Sequence, residues 1–210
     1  MATFSSTLDA DLARCAFRRL PPLDPLPSAP AVEAAGRAAG LPLPADFVDF
    51  CARHGAGAFD GTVMLALPAG CALGPEFCVD MLYGVGGDPD RDALALAADT
   101  YADRLPADMV PVGTDPGGNL LLLGCGPRAG VFAWDHEHRE LRPGEFDRRI
   151  DELKRIGIDV GLYDIDQLLW LWDERFPERV SNPTGYGNLY RVADSFARMG
   201  TAFVHRPEPG

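Results

Sequence analysis

The chain has 210 residues, of which 47% are hydrophobic and 24% charged, with 31 acidic against 19 basic side chains and a formal net charge of −12. Such a composition is far from the apolar-poor, charge-rich signature of disorder, and the length suffices to bury a core without metals or disulfides. The negative field repels phosphate backbones and anionic membranes, so the expected partner is a cation or a basic protein rather than nucleic acid or lipid, the alternative being that acidity only keeps the protein soluble.

Residues 7–19 read as a helix with Thr7 as N-cap and Leu8, Leu12 and Cys15 at helical spacing. Pro21-Pro22 and the Pro-rich run to Pro30 break it, and Ala31 to Ala39 is helix-prone before Gly40 and Pro42 stop it. Residues 1–40 are therefore expected to form a helical, loosely attached N-terminal arm. Pro44 to Cys51 begins another helix with Phe47, Phe50 and Cys51 on one apolar face, ended by Gly55-Ala56-Gly57. Two β-rich runs follow, Thr62 to Leu67 and Phe77 to Val85.

Asp88-Pro89 is a helix start, and the pattern predicts a helix to Leu105. It would bury Leu94, Ala97, Ala98, Tyr101 and Leu105 and turn Asp92, Leu96, Asp99 and Asp103 outward. Between Glu76 and Asp108 there are eight carboxylates and two arginines, a net of −6 and half the charge of the chain. Met109 to Thr114, Asn119 to Cys125 and Val131 to Trp134 read as three further strands, the first two joined by the turn residues Asp115-Pro116-Gly117-Gly118. From Pro143 the chain turns helical again, over Pro143 to Ile156, Asp164 to Phe176 and Leu189 to Met199, with no internal repeat.

The longest apolar stretch, Gly118 to Gly124, is far too short to span a bilayer, and Asp9 and Asp11 stand where a secretory signal would be basic and then apolar, so the expected location is the cytoplasm. The five cysteines, Cys15, Cys51, Cys71, Cys78 and Cys125, are odd in number and never form a Cys-x-x-Cys pair. They read as reduced, mostly buried small hydrophobes.

Three stretches in this order resemble the SUKH superfamily, which includes fungal cell-wall synthesis regulators and bacterial immunity proteins paired with polymorphic toxins. The first is Leu43 to Gly55, similar to the family's Leu-Pro helix ending at a Gly-rich turn. The second is Val112 to Asn119 followed by Gly130 to Glu137, which looks like its central hairpin and Trp-Asp-His turn. The third is Val192 to Phe196, similar to its final helix.

Two departures stand out. His54-Gly55-Ala56-Gly57 replaces the family's Asn-Gly-Gly, and about fifty extra residues separate the Trp-Asp-His turn from the last helix. The resemblance implies an α+β fold: a central, mostly antiparallel sheet of about five strands flanked by helices, with a helical insertion before the last helix. Residues 41–210 would form this SUKH-like domain and residues 140–187 the insertion. It also implies protein binding, no cofactor and no enzymatic activity. In the bacterial branch the role is to bind and occlude a cognate toxin, often a nuclease, whose basic surface an acidic protein would match.

In the insertion, Ile165, Leu168, Leu169, Trp172 and Phe176 make one apolar face, so Trp170 falls opposite, between Asp166, Asp173 and Glu174. An aromatic among carboxylates suits contact with a basic partner, the alternative being that another segment of the insertion covers it. Asp92, Asp99 and Asp103 form a second candidate contact face, whose alternative is a solvated helix surface.

No metal site is expected: His136 and His138 lack a third ligand at a recognisable spacing, and Trp134-Asp135-His136 reads better as a structural turn. Ser195 lacks a nucleophile elbow, and Gly84 to Gly87 lacks the Lys of a phosphate loop and runs into Asp88 and Asp90. Two other functions stay open: a regulatory or scaffold protein of the cell-wall regulator type, and a metal-dependent hydrolase built on His136 and His138.

Overall fold

The computed structural model describes residues 4–21, 25–69, 71, 73–101, 104–136, 145–164, 167–168, 171–172, 175 and 189–206. They fall into two compact units, Met1–Glu137 with Asn188–Gly210, and His138–Gly187.

The larger unit is built on an eight-stranded antiparallel sheet rather than the five or so strands expected. Its strands are β1 (Phe17–Arg19), β2 (Gly57–Ala66), β3 (Glu76–Leu82), β4 (Met109–Thr114), β5 (Leu120–Gly124), β6 (Gly130–Trp134), β7 (Leu189–Ala193) and β8 (Phe203–Arg206). They pair in the order β1 to β7, and β8 also pairs with β2.

Along one side of β2, its first half therefore meets β1 (Phe17 opposite Phe59) and its second half meets β8 (Phe203 opposite Leu65). The two halves are separated by an irregularity between Ala58 and Val63. Gly61 sits there at φ +97°, a conformation that residues with a side chain rarely adopt, and the extra residues re-aim the strand.

β3 and β4 share only a short ladder, Met81 with Thr114 and Leu82 with Gly113. It ends with Tyr83 N–H to Val112 O at 3.0 Å, because the next residue on β4, Pro111, has no N–H to continue it. β5 is buried along its whole length, which is why Leu120 to Leu123 form an unbroken apolar run instead of an alternating one.

The helices of this unit are α1 (Phe4–Arg14), α2 (Ala29–Ala38), α3 (Ala45–Arg53), the single turn α4 (Ala93–Ala95) and, after α5 (Glu145–Arg155) of the smaller unit, α6 (Phe196–Thr201). Phe47 and Phe50 of α3 pack on Phe196 of α6 at ring separations of 5.0 and 4.9 Å. Leu8, Leu12 and Cys15 of the N-terminal segment lie in the same core. Gly200 of α6 faces α1, where a β-carbon would sit 2.6 Å from Leu8 Cδ1 and the Leu8 side chain would have to move. Arg14 Nη1 donates to Phe203 O (3.0 Å), tying the end of α1 to β8.

Several boundaries differ from the sequence reading. α1 starts at Phe4 and ends at Arg14, so Thr7 lies within it and not at its cap. Leu189 to Met199 is not one helix: Leu189–Ala193 is a strand on β6, and α6 begins only after Ser195, whose Oγ accepts from Arg198 N–H (3.2 Å). The segment from Asp88 is likewise not one α-helix. A 3-10 turn (Pro89–Arg91), α4 and a π turn (Leu96–Thr100) succeed one another, and these changes of winding rotate the side chains out of the expected register. Leu96, expected outside, is buried, and Ala98, expected inside, is exposed.

In the smaller unit, α5 (Glu145–Arg155) packs Leu153 against Leu168 and Trp172, with Ile150, Ile158 and Val160 around them. Trp172 is fully buried. Its Nε1 donates to Glu152 Oε2 (2.8 Å), Arg148 Nη1 donates to Glu152 Oε1 (2.9 Å), and the Arg149 guanidinium lies 4.1 Å from the Trp172 ring centre. The buried carboxylate is thus paired and hydrogen-bonded on both oxygens, the condition under which such a charge is tolerated.

Candidate functional site

The hairpin loop and the Trp-Asp-His stretch meet at one end of the β4–β5–β6 sheet, where Leu120 pairs with Trp134. Asp115 closes the loop: Oδ1 accepts from Asn119 N–H (2.8 Å) and Oδ2 from the Asn119 side-chain Nδ2–H (2.7 Å). A carboxylate only accepts, so the Asn119 amide nitrogen must face Asp115 and its oxygen must face His136.

That oxygen accepts from His136 N–H (3.3 Å) and from the ring Nδ1 (3.0 Å), so Nδ1 carries the proton. Gly118 supports the same arrangement at φ +91°, a backbone conformation that residues with a side chain rarely adopt. Asp115, Asn119 and His136 therefore form a latch between the β4–β5 loop and the end of β6. Beside it the buried Trp134 ring meets Tyr101 edge-on at 6.1 Å, and the Arg104 guanidinium lies 5.6 Å from both ring centres. Asp135 is also buried.

Among the described residues no three His, Cys, Asp or Glu side chains converge as a metal would require. His138 lies outside the described residues. Ser195 is the cap of α6. The Gly84–Gly87 turn points its Gly86 N–H at the Asp92 carboxylate. Burial raises the pKa of Cys15, Cys51, Cys71, Cys78 and Cys125, the last to about 12, which holds all five thiols protonated at neutral pH. His54 is pushed the other way: burial, reinforced by Arg53, lowers its pKa against the pull of Asp49.

The predicted contact residues separate into distinct settings. Asp92 accepts from the backbone N–H groups of Gly86, Leu94 (2.8 Å) and Ala95 (3.0 Å), so its carboxylate builds the turn and contributes charge rather than a free contact. Asp99 is exposed on the π turn, and Asp80 and Asp90 are exposed as well. With Leu96 buried, the acids of this segment do not form the continuous helix face expected of them. Asp103, Asp166, Trp170, Asp173 and Glu174 lie outside the described residues. Leu168 and Trp172, placed by the sequence on the inner face of the insertion, are buried.

An open cleft of 340 Å³ is lined by Arg19, Leu26, Gly86, Gly87, Asp88 and Arg91 among others. Arg91 in it is engaged by Pro21 O (2.5 Å) and Asp88 (3.8 Å).

Sequence reasoning missed the exposed apolar group Ile156, Leu162 and Tyr163. The available signal was the turn at Gly157, beyond which only alternate apolar residues, Ile158 and Val160, pack on the core of this unit.

Comparison with known proteins supports the family resemblance. The chain is 26% identical over 114 residues to "SPbeta prophage-derived uncharacterized protein YokK" of Bacillus subtilis (strain 168), covering 47% of this chain and 56% of the relative. The chain thus spans about half the length of the curated relative it matches. No solved structure matches. The SMI1 / KNR4 family (SUKH-1) matches over residues 27–148, more than half of the chain and a range that holds the Leu-Pro helix, the hairpin and the Trp-Asp-His latch; the chain belongs to that family.

Proposed function

We propose that this chain is a non-enzymatic protein-binding domain of the immunity type, which binds a basic bacterial toxin domain, in the first instance a nuclease, and occludes its working surface. The observation that carries the reading is the charge: −12 overall, half of it between Glu76 and Asp108, where Asp80, Asp90 and Asp99 stand exposed. An acidic surface raises the encounter rate with a cationic partner and competes for the groove that a nucleic-acid substrate would enter. Family membership supports it, since SUKH proteins are often toxin-immunity proteins, and so does the prophage origin of the relative.

The proposed contacts are Asp99 and Asp103 with the charge of Asp92, and Trp170 with Asp166, Asp173 and Glu174 on the insertion. Binding takes place in the cytoplasm, without cofactor or metal. The test is co-expression with the toxin domain encoded beside the gene. Protection of the host together with a stoichiometric complex is expected, and toxicity undiminished by the protein overturns the reading.

A further inference from the structure

The Arg104 side chain is exposed, yet its guanidinium lies over two aromatic rings at once, 5.6 Å from the centre of Tyr101 and 5.6 Å from that of Trp134. The two rings stand at 84° to each other with their centres 6.1 Å apart, so they form the walls of a corner and the cation sits between them. Among the described residues no hydrogen bond or ion pair reaches this guanidinium. Arg148 on Trp172, by contrast, also donates to Glu152 (2.9 Å), and Arg191 on Phe132 is also paired with Asp194 (3.1 Å). Cation–π attraction alone holds an exposed, rotamer-rich side chain loosely.

The rings themselves are fixed. Trp134 is buried at the end of β6 and pairs with Leu120 on β5. Tyr101 donates its backbone N–H to Leu96 O (2.9 Å), closing the π turn. The buried indole Nε1 of Trp134 has no acceptor among the described residues, so one donor on this ring is still open. Rigid aromatic walls with a loosely held cation between them make a preformed site whose ligand chemistry is displayed by its own occupant.

We infer that the Tyr101–Trp134 corner is a binding site for the guanidinium of an arginine side chain on a partner protein, and that Arg104 is an internal stand-in which that arginine displaces. The occupant is chosen by the group already seated there and not by the charge of the chain as a whole. A planar guanidinium stacks on both rings, whereas an ammonium is a strongly hydrated point charge, so the site selects arginine over lysine. Asp99, exposed two residues before Tyr101, adds a carboxylate on the same turn. That the arginine comes from a basic toxin domain rests on the proposed function; the corner itself does not. A self-occupied site binds its ligand more weakly by the fraction of time it is filled, so removing Arg104 should reveal it.

The test titrates the ¹⁵N-labelled full chain with N-acetyl-arginine amide, a probe that needs no toxin, and follows the Trp134 indole N–H by NMR. Unshifted amides of β4, β5 and β6 show each variant to be folded. Arg104→Ala should reach half-saturation at a concentration about threefold or more below that of the wild type. Arg104→Lys should fall between the two. Arg37→Ala removes an exposed cation from α2, and so the same charge, and should titrate as the wild type does. N-acetyl-lysine amide should bind Arg104→Ala more weakly than the arginine probe does, and Tyr101→Leu in the Arg104→Ala background should cancel the gain.

Half-saturation unchanged in Arg104→Ala, or reached equally by the lysine probe, overturns the site and leaves the proposed function standing. With the toxin domain encoded beside the gene as titrant, Arg104→Ala should bind more tightly than Arg37→Ala. Equal affinity of these two variants overturns the use of the corner by that partner, and absence of any toxin binding overturns the proposed function while the capped-arginine result stands.

Discussion

Asp46, in the first turn of α3, accepts the backbone N–H of Ala197 through its Oδ2 at 2.8 Å, across 151 residues of chain. With Ser195 accepting from Arg198 N–H, it satisfies two of the donors that the start of α6 leaves open. The first and third stretches of the family resemblance thus meet, through Phe47 against Phe196 and this bond one residue further on. Removing the carboxylate by Asp46→Ala should cost about 1–2 kcal/mol, the range of a lost helix cap, read as a lower midpoint in urea unfolding followed by circular dichroism.

The Asp115–Asn119–His136 latch gives a second expectation. Asn119→Ala removes three hydrogen bonds at once and should destabilise the larger unit by about 1–3 kcal/mol. It should also remove the acceptor that selects the His136 tautomer. In the wild type, ¹⁵N chemical shifts should report the Nδ1-protonated tautomer, and in Asn119→Ala a mixture.

These two networks show what the sequence conveyed and what it did not. β4, β5 and β6 were legible because apolar runs of five or six residues broken by Gly-rich turns read as strands in any context. The hairpin loop was legible because its turn residues carry their own geometry. β1, β7 and β8 were not: they have three to five residues, include Arg18, Arg191 and Arg206, and exist only through partners distant in sequence. The helix from Asp88 failed because a winding that passes through 3-10, α and π turns carries no single period to read. Of the candidate site, the acidity was visible from composition, whereas the contact between Asn119 and His136 emerges only when the β4–β5 loop and the end of β6 are brought together.

Alkaline pH tests the buried thiols. A thiol raised in the fold, as Cys125 is from 9.0 to about 12, adds stability that is fully present below the unfolded value and is lost as pH rises towards the folded one. The urea midpoint should therefore fall between pH 9 and about 12, and less steeply in Cys125→Ala than in the wild type. At neutral pH, Cys51 and Cys125 should resist alkylation until the protein is unfolded.

The smaller unit has its own core and its own expected response. Trp172→Phe keeps most of the buried ring but removes the indole N–H that donates to Glu152 Oε2, a charge-assisted hydrogen bond worth about 1–3 kcal/mol. Amide exchange over residues 145–164 should accelerate, while the amides of β4, β5 and β6 should keep wild-type rates.

The central claim is that this acidic chain acts by holding a basic protein, and the most direct measurement is affinity capture of the tagged chain from its source cells at low and high salt, with mass spectrometry of the eluate. The expected result is a basic toxin-like domain recovered in near-equal amount, with recovery falling as salt screens the surface and falling again for Trp170→Ala or Asp166→Lys. Absence of any such domain at every salt concentration would contradict it.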